Sequence, residues 1–184
     1  IIHHDALNYN YQQSENNNSI IVGNLPFNIA TELLYIWTKI DNWPPVQTKM
    51  VLMFQKEVAD RIVSEFNNSK YCRLSILSSW KLNIKKIIDI KPQSFSPRPK
   101  IDSSLLLFTP KKKFFELKDP KNLEKITRIF FSQRRKMLKK PFNQVFADGK
   151  QVAEKFSIDL NLRPQNLKPE TYYKLVKEYE DLRS

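Results

Sequence analysis

The chain has 184 residues, 41% of them apolar, enough for one good-sized domain or two small ones, and no apolar run reaches the length that spans a bilayer, so it reads as soluble. A net charge of +12 points to a polyanion, and to nucleic acid rather than membrane, since no strongly amphipathic basic terminus is present. Cys72 is the only cysteine and Gly23 and Gly149 the only glycines, which excludes an internal disulfide, fits a reducing compartment such as the cytoplasm, and excludes any G-x-G phosphate loop or dinucleotide fingerprint.

In chain order, "IIHHDAL" reads as a strand with no secretory leader before it. "NYNYQQSENNNS" is a polar surface loop and "IIV" a short buried strand. From Ile29, apolar residues at Leu33, Ile36, Trp37 and Ile40 have helical spacing, and "DNWPP" ends that helix. "KMVLMF" is a continuous apolar run, the pattern of a strand buried on both faces. "QKEVADRIVSEF" puts Val58, Ile62 and Phe66 on one helical stripe, and "YCRLSILSSW" leans towards helix. "NIKKIIDIK" and "IDSSLLLFTP" are two strands flanking the proline-rich loop "PQSFSPRPK". Strand–helix alternation ending in two consecutive strands predicts a mixed α/β sheet with an antiparallel edge. After Pro110 the composition shifts to the charged linker "KKKFFELKDPK" and then to helical patterns alone. The boundary is placed within residues 110–118, giving an α/β domain over 1–112 and an all-α domain over 113–184.

"SIIVGNLPFNIATELL", residues 19–34, holds the most informative tetrapeptide. The exocyclic amine of a nucleobase is a poor nucleophile because its lone pair is delocalised into the ring. Two acceptors facing its N–H groups draw the nitrogen towards a tetrahedral shape and aim the lone pair at an electrophile. The Asn24 side chain supplies one acceptor, and a backbone carbonyl of Leu25 or Pro26 the other, with proline fixing φ. Phe27 offers an aromatic face for a base held out of its stack, and Gly23 allows close backbone approach. The same tetrapeptide also reads as a plain strand-to-helix turn, since Asn caps helices and Pro favours their first turn. Its place at the carboxyl end of a strand favours the ligand reading.

"GNLPFNIAT" followed by "FSPRPKIDSSLLLF" resembles the small-subunit ribosomal RNA adenine dimethyltransferases, and "FFSQRRKMLKK" with "LRPQNLKPETYYKL" resembles that family's helical C-terminal part. The resemblance covers essentially the whole chain. It implies a Rossmann-like, S-adenosylmethionine-dependent methyltransferase sheet followed by a small all-α domain. The implied reaction transfers methyl groups to the exocyclic amines of two adjacent adenosines near the 3′ end of small-subunit rRNA, with the immature small subunit as partner. It further implies that Asp5 contacts the adenine of the methyl donor and that Asn24 lies between donor and target amine. Leu25 and Pro26 would present carbonyls, and Phe27 would stack on the target adenine. Phe95 resembles the aromatic that closes the pocket from the other side, with Lys100 meeting a phosphate. Taken alone, Asp5 reads as a turn cap and Phe95 as a loop aromatic tucked into the sheet edge. His3 and His4 alternate across the first strand, and no cluster at ligand spacing indicates a metal.

The family's glycine-rich loop and its ribose-binding acidic residue have no counterpart in this sequence. Roughly the first third of a full enzyme is therefore expected to be missing, and this chain alone is expected to bind the donor weakly and to have little activity. An exposed strand edge carries a risk of self-association. Finally, residues 121–140 on a helical wheel gather Leu123, Ile126, Ile129, Phe130 and Met137 on one side and Lys121, Arg128, Arg135 and Lys139 on the other. Lys125 and Lys136 adjoin the cations, and Arg134 snorkels beside the apolar stripe. A cationic face nearly free of carboxylates suits an RNA backbone. Tyr172, Leu175, Val176, Tyr179 and Leu182 form the apolar stripe of the last helix. Two other readings are a large-subunit rRNA methyltransferase of the erythromycin-resistance type and a non-catalytic RNA-binding ribosome-assembly factor.

Overall fold

The computed structural model describes residues 3–11, 19–26, 29–40, 43–45 and 47–183. They group into two compact units, Ile1–Val63 with Lys81–Phe114 and Ser64–Trp80 with Phe115–Ser184. The chain is therefore not divided linearly at 112/113. Residues 64–80 go with the helical unit, because Tyr71 and Ile76 are fully buried there, with Tyr71 edge-on to Phe131 and the Ile76 carbonyl accepting the Tyr173 hydroxyl at 2.9 Å.

The first unit is a four-stranded sheet. Its elements are β1 (Ser19–Asn24), α1 (Ala30–Thr38), β2 (Gln47–Gln55), α2 (Lys56–Ile62), β3 (Leu82–Ile90) and β4 (Ser103–Pro110). The strand order is β1-β2-β4-β3. β1 and β2 are parallel, as a helical crossover requires, and β4 runs antiparallel to both of its neighbours. The apolar run of β2 is explained by this central position. Leu52 and Phe54 on β2 and Leu106 and Phe108 on β4 are all essentially inaccessible, each contributing roughly 1.5–3 kcal/mol of burial. α1 buries Ala30, Leu33, Leu34 and Trp37.

The predicted opening strand is instead a turn among the described residues. The Asp5 carboxylate accepts the Leu7 N–H at 3.0 Å and the Asn8 amide at 3.0 Å, and the Asp5 carbonyl accepts the Asn8 N–H. An edge-on aromatic series, His4 to Tyr9 to Tyr11 to Trp37, packs this turn onto α1.

The second unit holds α3 (Arg73–Ser79), α4 (Pro120–Ser132), α5 (Lys139–Val145), α6 (Gly149–Lys155) and α7 (Pro169–Asp181). Phe130 is its hub, edge-on to Phe142 at 5.3 Å and to Tyr172 at 5.5 Å. Of the predicted α7 stripe, Tyr172, Leu175, Val176 and Tyr179 are buried, whereas Leu182 is the C-cap and is exposed. Among the described residues, no helix is long and apolar enough to cross a membrane.

Candidate functional site

β1 ends at Asn24, which pairs in register with Met53 of β2 and is exposed. Leu25 and Pro26 form the turn into α1. The Pro26 carbonyl accepts the N–H groups of Ile29 and Ala30, each at 3.1 Å. Both of its lone pairs are used to start the helix. Of the two backbone acceptors expected from the sequence, this leaves Leu25 as the candidate. A Cβ on Gly23 would lie 3.0 Å from Leu25 Cδ2 and 3.3 Å from Leu52 Cδ2. The missing side chain thus makes room for Leu25 to fold back against Leu52, which fixes the backbone that follows Asn24. Phe27 lies outside the described residues.

The strand register places Asn24, Gln55, Ile90 and Ser103 at the same end of the sheet. The loop carrying Phe95 and Lys100 therefore springs from the end at which Asn24 stands. Phe95 is half-buried and Lys100 exposed. Asp5 is exposed; its oxygens serve its own turn, which is the reading the residue has without the family pattern, and each retains a lone pair for a ligand N–H.

A charged network borders this end of the sheet. Asp89 accepts from the Lys56 ammonium, from Lys86 at 2.6 Å and from the Ser104 hydroxyl at 2.6 Å. Lys86 also bridges to Asp60 at 2.9 Å. Lys56 first, then Lys86 and Ser104, hold the Asp89 carboxyl far below the usual carboxylate range. A depressed folded-state value contributes stability above the unfolded carboxylate value, and that stability is lost as pH falls through the folded one. Thermal unfolding of the chain and of Asp89→Asn should therefore differ at neutral pH, with the gap closing as pH drops below about 4. A gap that stays constant down to the lowest pH measured contradicts this account.

The basic residues of the second unit do not lie on one helix. α4 stops at Ser132, and Gln133 leaves helical geometry with φ −126° and ψ 51°. The Leu138 and Lys139 N–H groups then bond the carbonyls of Leu162 and Leu160 at 2.9 and 3.3 Å. Those non-local bonds, made in place of a helical ladder, break the predicted helix over 121–140. Lys121 and Arg128 remain exposed on α4, Arg135 and Lys136 lie in the break, and Lys139 opens α5. Met137 falls in the break and is 57% exposed, outside the apolar stripe. Arg134 donates to the carbonyls of Ser69 and Asn68 and does not snorkel. Lys125 donates to the Tyr179 hydroxyl at 2.6 Å and lies over that ring, so it is engaged within the unit.

The break shapes an open concavity lined by Arg135, Lys136, Lys139, Lys140 and Arg163, with the amides of Gln133, Asn143, Gln144 and Asn161 between them and no carboxylate. Lys140 and Arg163 were not singled out from the sequence. Arg163 is more than twenty residues from the others, and the Leu138–Leu162 and Lys139–Leu160 bonds bring its segment alongside.

The family model described as ribosomal RNA adenine dimethylase matches residues 1–181. The chain is 72% identical over 183 residues to ribosomal RNA small subunit methyltransferase A of Pelagibacter ubique (strain HTCC1062), covering 100% of this chain and 70% of that protein. It is 36% identical over 185 residues to the protein of the same name from Bradyrhizobium diazoefficiens, covering 100% and 65%. The chain thus spans about two thirds of the length of these curated relatives. Among solved structures, a dimethyladenosine transferase from Plasmodium falciparum matches with a TM-score of 0.79 at 26% identity, over 98% of this chain and 72% of that one. The 23S rRNA methyltransferase ErmE shares the fold at 14% identity with a TM-score of 0.65, over 96% and 70%. The chain belongs to the ribosomal RNA adenine dimethylase family.

Proposed function

We propose that this chain carries the base-capturing part of an S-adenosylmethionine-dependent enzyme. The reaction is dimethylation of the exocyclic amines of two adjacent adenosines near the 3′ end of small-subunit rRNA. The observation that carries this reading is the exposed Asn24 at the carboxyl end of β1, followed by the Leu25–Pro26 turn, in a chain of this family. The Asn24 side-chain oxygen and the Leu25 carbonyl accept the two N–H bonds of the target amine, and the nitrogen lone pair is thereby turned out of conjugation. Phe27 and Phe95 are the faces between which the base is held. Once alkylated the nitrogen is acidic, and water takes its proton, so no side-chain base is needed. S-adenosylmethionine, when bound, supplies the electrophilic methyl group. Asp5 and Asn24, both exposed acceptors, fit its amine and its methyl side and are the residues of this chain that would hold it.

Lys100, Lys121, Arg128, Arg135, Lys136 and Lys139 are the RNA-binding residues of this reading, joined by Lys140 and Arg163 at the concavity. Lys125, also on α4, holds the Tyr179 hydroxyl. The partner is the immature small subunit, and the setting is the cytoplasm. β1 has no strand on its outer side among the described residues, and that backbone edge is where self-association would run.

The intact protein tests the function. Methyl transfer from labelled S-adenosylmethionine should appear on immature small subunits and not on large-subunit RNA. Transfer to large-subunit RNA alone would favour the erythromycin-resistance type of activity, and RNA binding without transfer would favour an assembly factor.

A further inference from the structure

The segment between β3 and β4, residues 91–102, is long for a connection between paired antiparallel strands, which usually takes two to five residues. Its neck is closed by three rungs. The Ser104 hydroxyl donates to Asp89 at 2.6 Å, across a directly paired position of β3 and β4. The Lys91 ammonium donates to the Asp102 carboxylate at 2.7 Å. The Lys56 N–H, at the start of α2, donates to the Asp102 carbonyl at 2.9 Å. Asp89 is itself gripped by Lys56 and Lys86, which ties the first rung to α2 and β3 as well. Above the neck, the Ser94 N–H bonds the Lys91 carbonyl at 3.0 Å and the Phe95 N–H bonds the Pro92 carbonyl at 3.2 Å. Pro92, Pro97 and Pro99 fix three further φ angles. The loop is thus stiff from its neck to Phe95, and its orientation is decided at the neck.

Orientation matters because of where the loop starts. β3 is separated from β1 by β4 and β2, a distance of roughly 14 Å at ordinary strand spacing. A small change of angle at the neck therefore becomes a displacement of the loop relative to Asn24. We infer that the paired neck residues Asp89–Ser104 and Lys91–Asp102 are positioning residues that set how the loop presents Phe95 and Lys100 to the RNA. This inference rests on the proposed function for the identity of the substrate; the geometry of the neck does not depend on it.

The test uses the intact protein carrying Lys91→Ala together with Ser104→Ala, two mild changes at the loop ends, with Lys91→Arg as the conservative control. Trypsin reports the order of the loop. Lys91 and Arg98 both precede proline, so Lys100–Ile101 is the one bond in the loop open to ordinary tryptic cleavage. Cleavage there, mapped by mass, should quicken about threefold to fivefold in the double variant, with other cuts unchanged and the thermal midpoint no lower than in Ser104→Ala alone. KM for the immature subunit should rise by a similar factor with kcat held within about twofold, and Lys91→Arg should behave as wild type. Unchanged cleavage and KM would overturn the inference. So would a parallel fall in kcat and thermal midpoint, the mark of a merely structural neck. If the wild type transfers no methyl group, the proposed function fails instead, and cleavage at Lys100 alone decides the neck.

Discussion

Asn24→Ala is expected to lower methyl transfer by the intact protein by about 100-fold to 1000-fold in kcat while leaving RNA affinity unchanged. The size follows from what the side chain is asked to do. An adenine amine is turned towards a tetrahedral shape as acceptors hold its N–H bonds, two in the first transfer and one in the second. Removing one preorganised hydrogen-bonding group from a developing transition state typically costs that factor. Stability gives no competing explanation. Asn24 is exposed at the strand end, where a surface substitution changes folding by no more than about 0.5 kcal/mol. The expected split, with kcat lost and binding kept, also separates an enzyme from an assembly factor, whose function would survive the change. Single-turnover transfer with saturating donor, measured beside RNA binding by the same variant, checks it. Transfer within tenfold of wild type would show that the Leu25 carbonyl and the stacking faces suffice.

The Asn24 turn was legible in the sequence because the signals there are local. A β-favouring run, an amide, a proline and a helical period follow one another within a dozen residues, and strand and helix form where those patterns change. The apolar runs of β2 and β4 were legible for the same reason. What the sequence hid is non-local. Nothing in "QRRKML" discourages a helix; the break at Gln133 comes from carbonyls of Leu160 and Leu162, supplied by a segment more than twenty residues away. The assignment of residues 64–80 to the helical unit depends on Tyr173 and Phe131, equally remote in sequence. The engagement of the Pro26 carbonyl was not legible in the tetrapeptide, because it depends on where the helix starts: it accepts the Ile29 and Ala30 N–H groups.

Reversing two cations of the second unit, Arg128→Glu with Arg135→Glu, is expected to have the largest effect on RNA binding. Each phosphate contact releases condensed counterions, so loss of two contacts should flatten the plot of log affinity against log salt by about two units. Binding at low salt should weaken by at least tenfold, since the new carboxylates also repel the backbone, and the difference should shrink as salt rises. The structure makes the choice of positions informative. Arg128 and Arg135 are exposed on different elements, α4 and the break that follows it, so a response from both shows that the RNA follows the surface around the corner. Lys125 is the contrasting case. Its ammonium is held by the Tyr179 hydroxyl at 2.6 Å, and Lys125→Ala should leave the salt slope unchanged, whereas a single helical face would have made it equivalent to Arg128. A slope reduced by Lys125→Ala and untouched at Arg135 would restore the continuous helix as the RNA-facing element. The opposite result assigns RNA contact to the corner that Leu138 and Lys139 create by bonding Leu162 and Leu160.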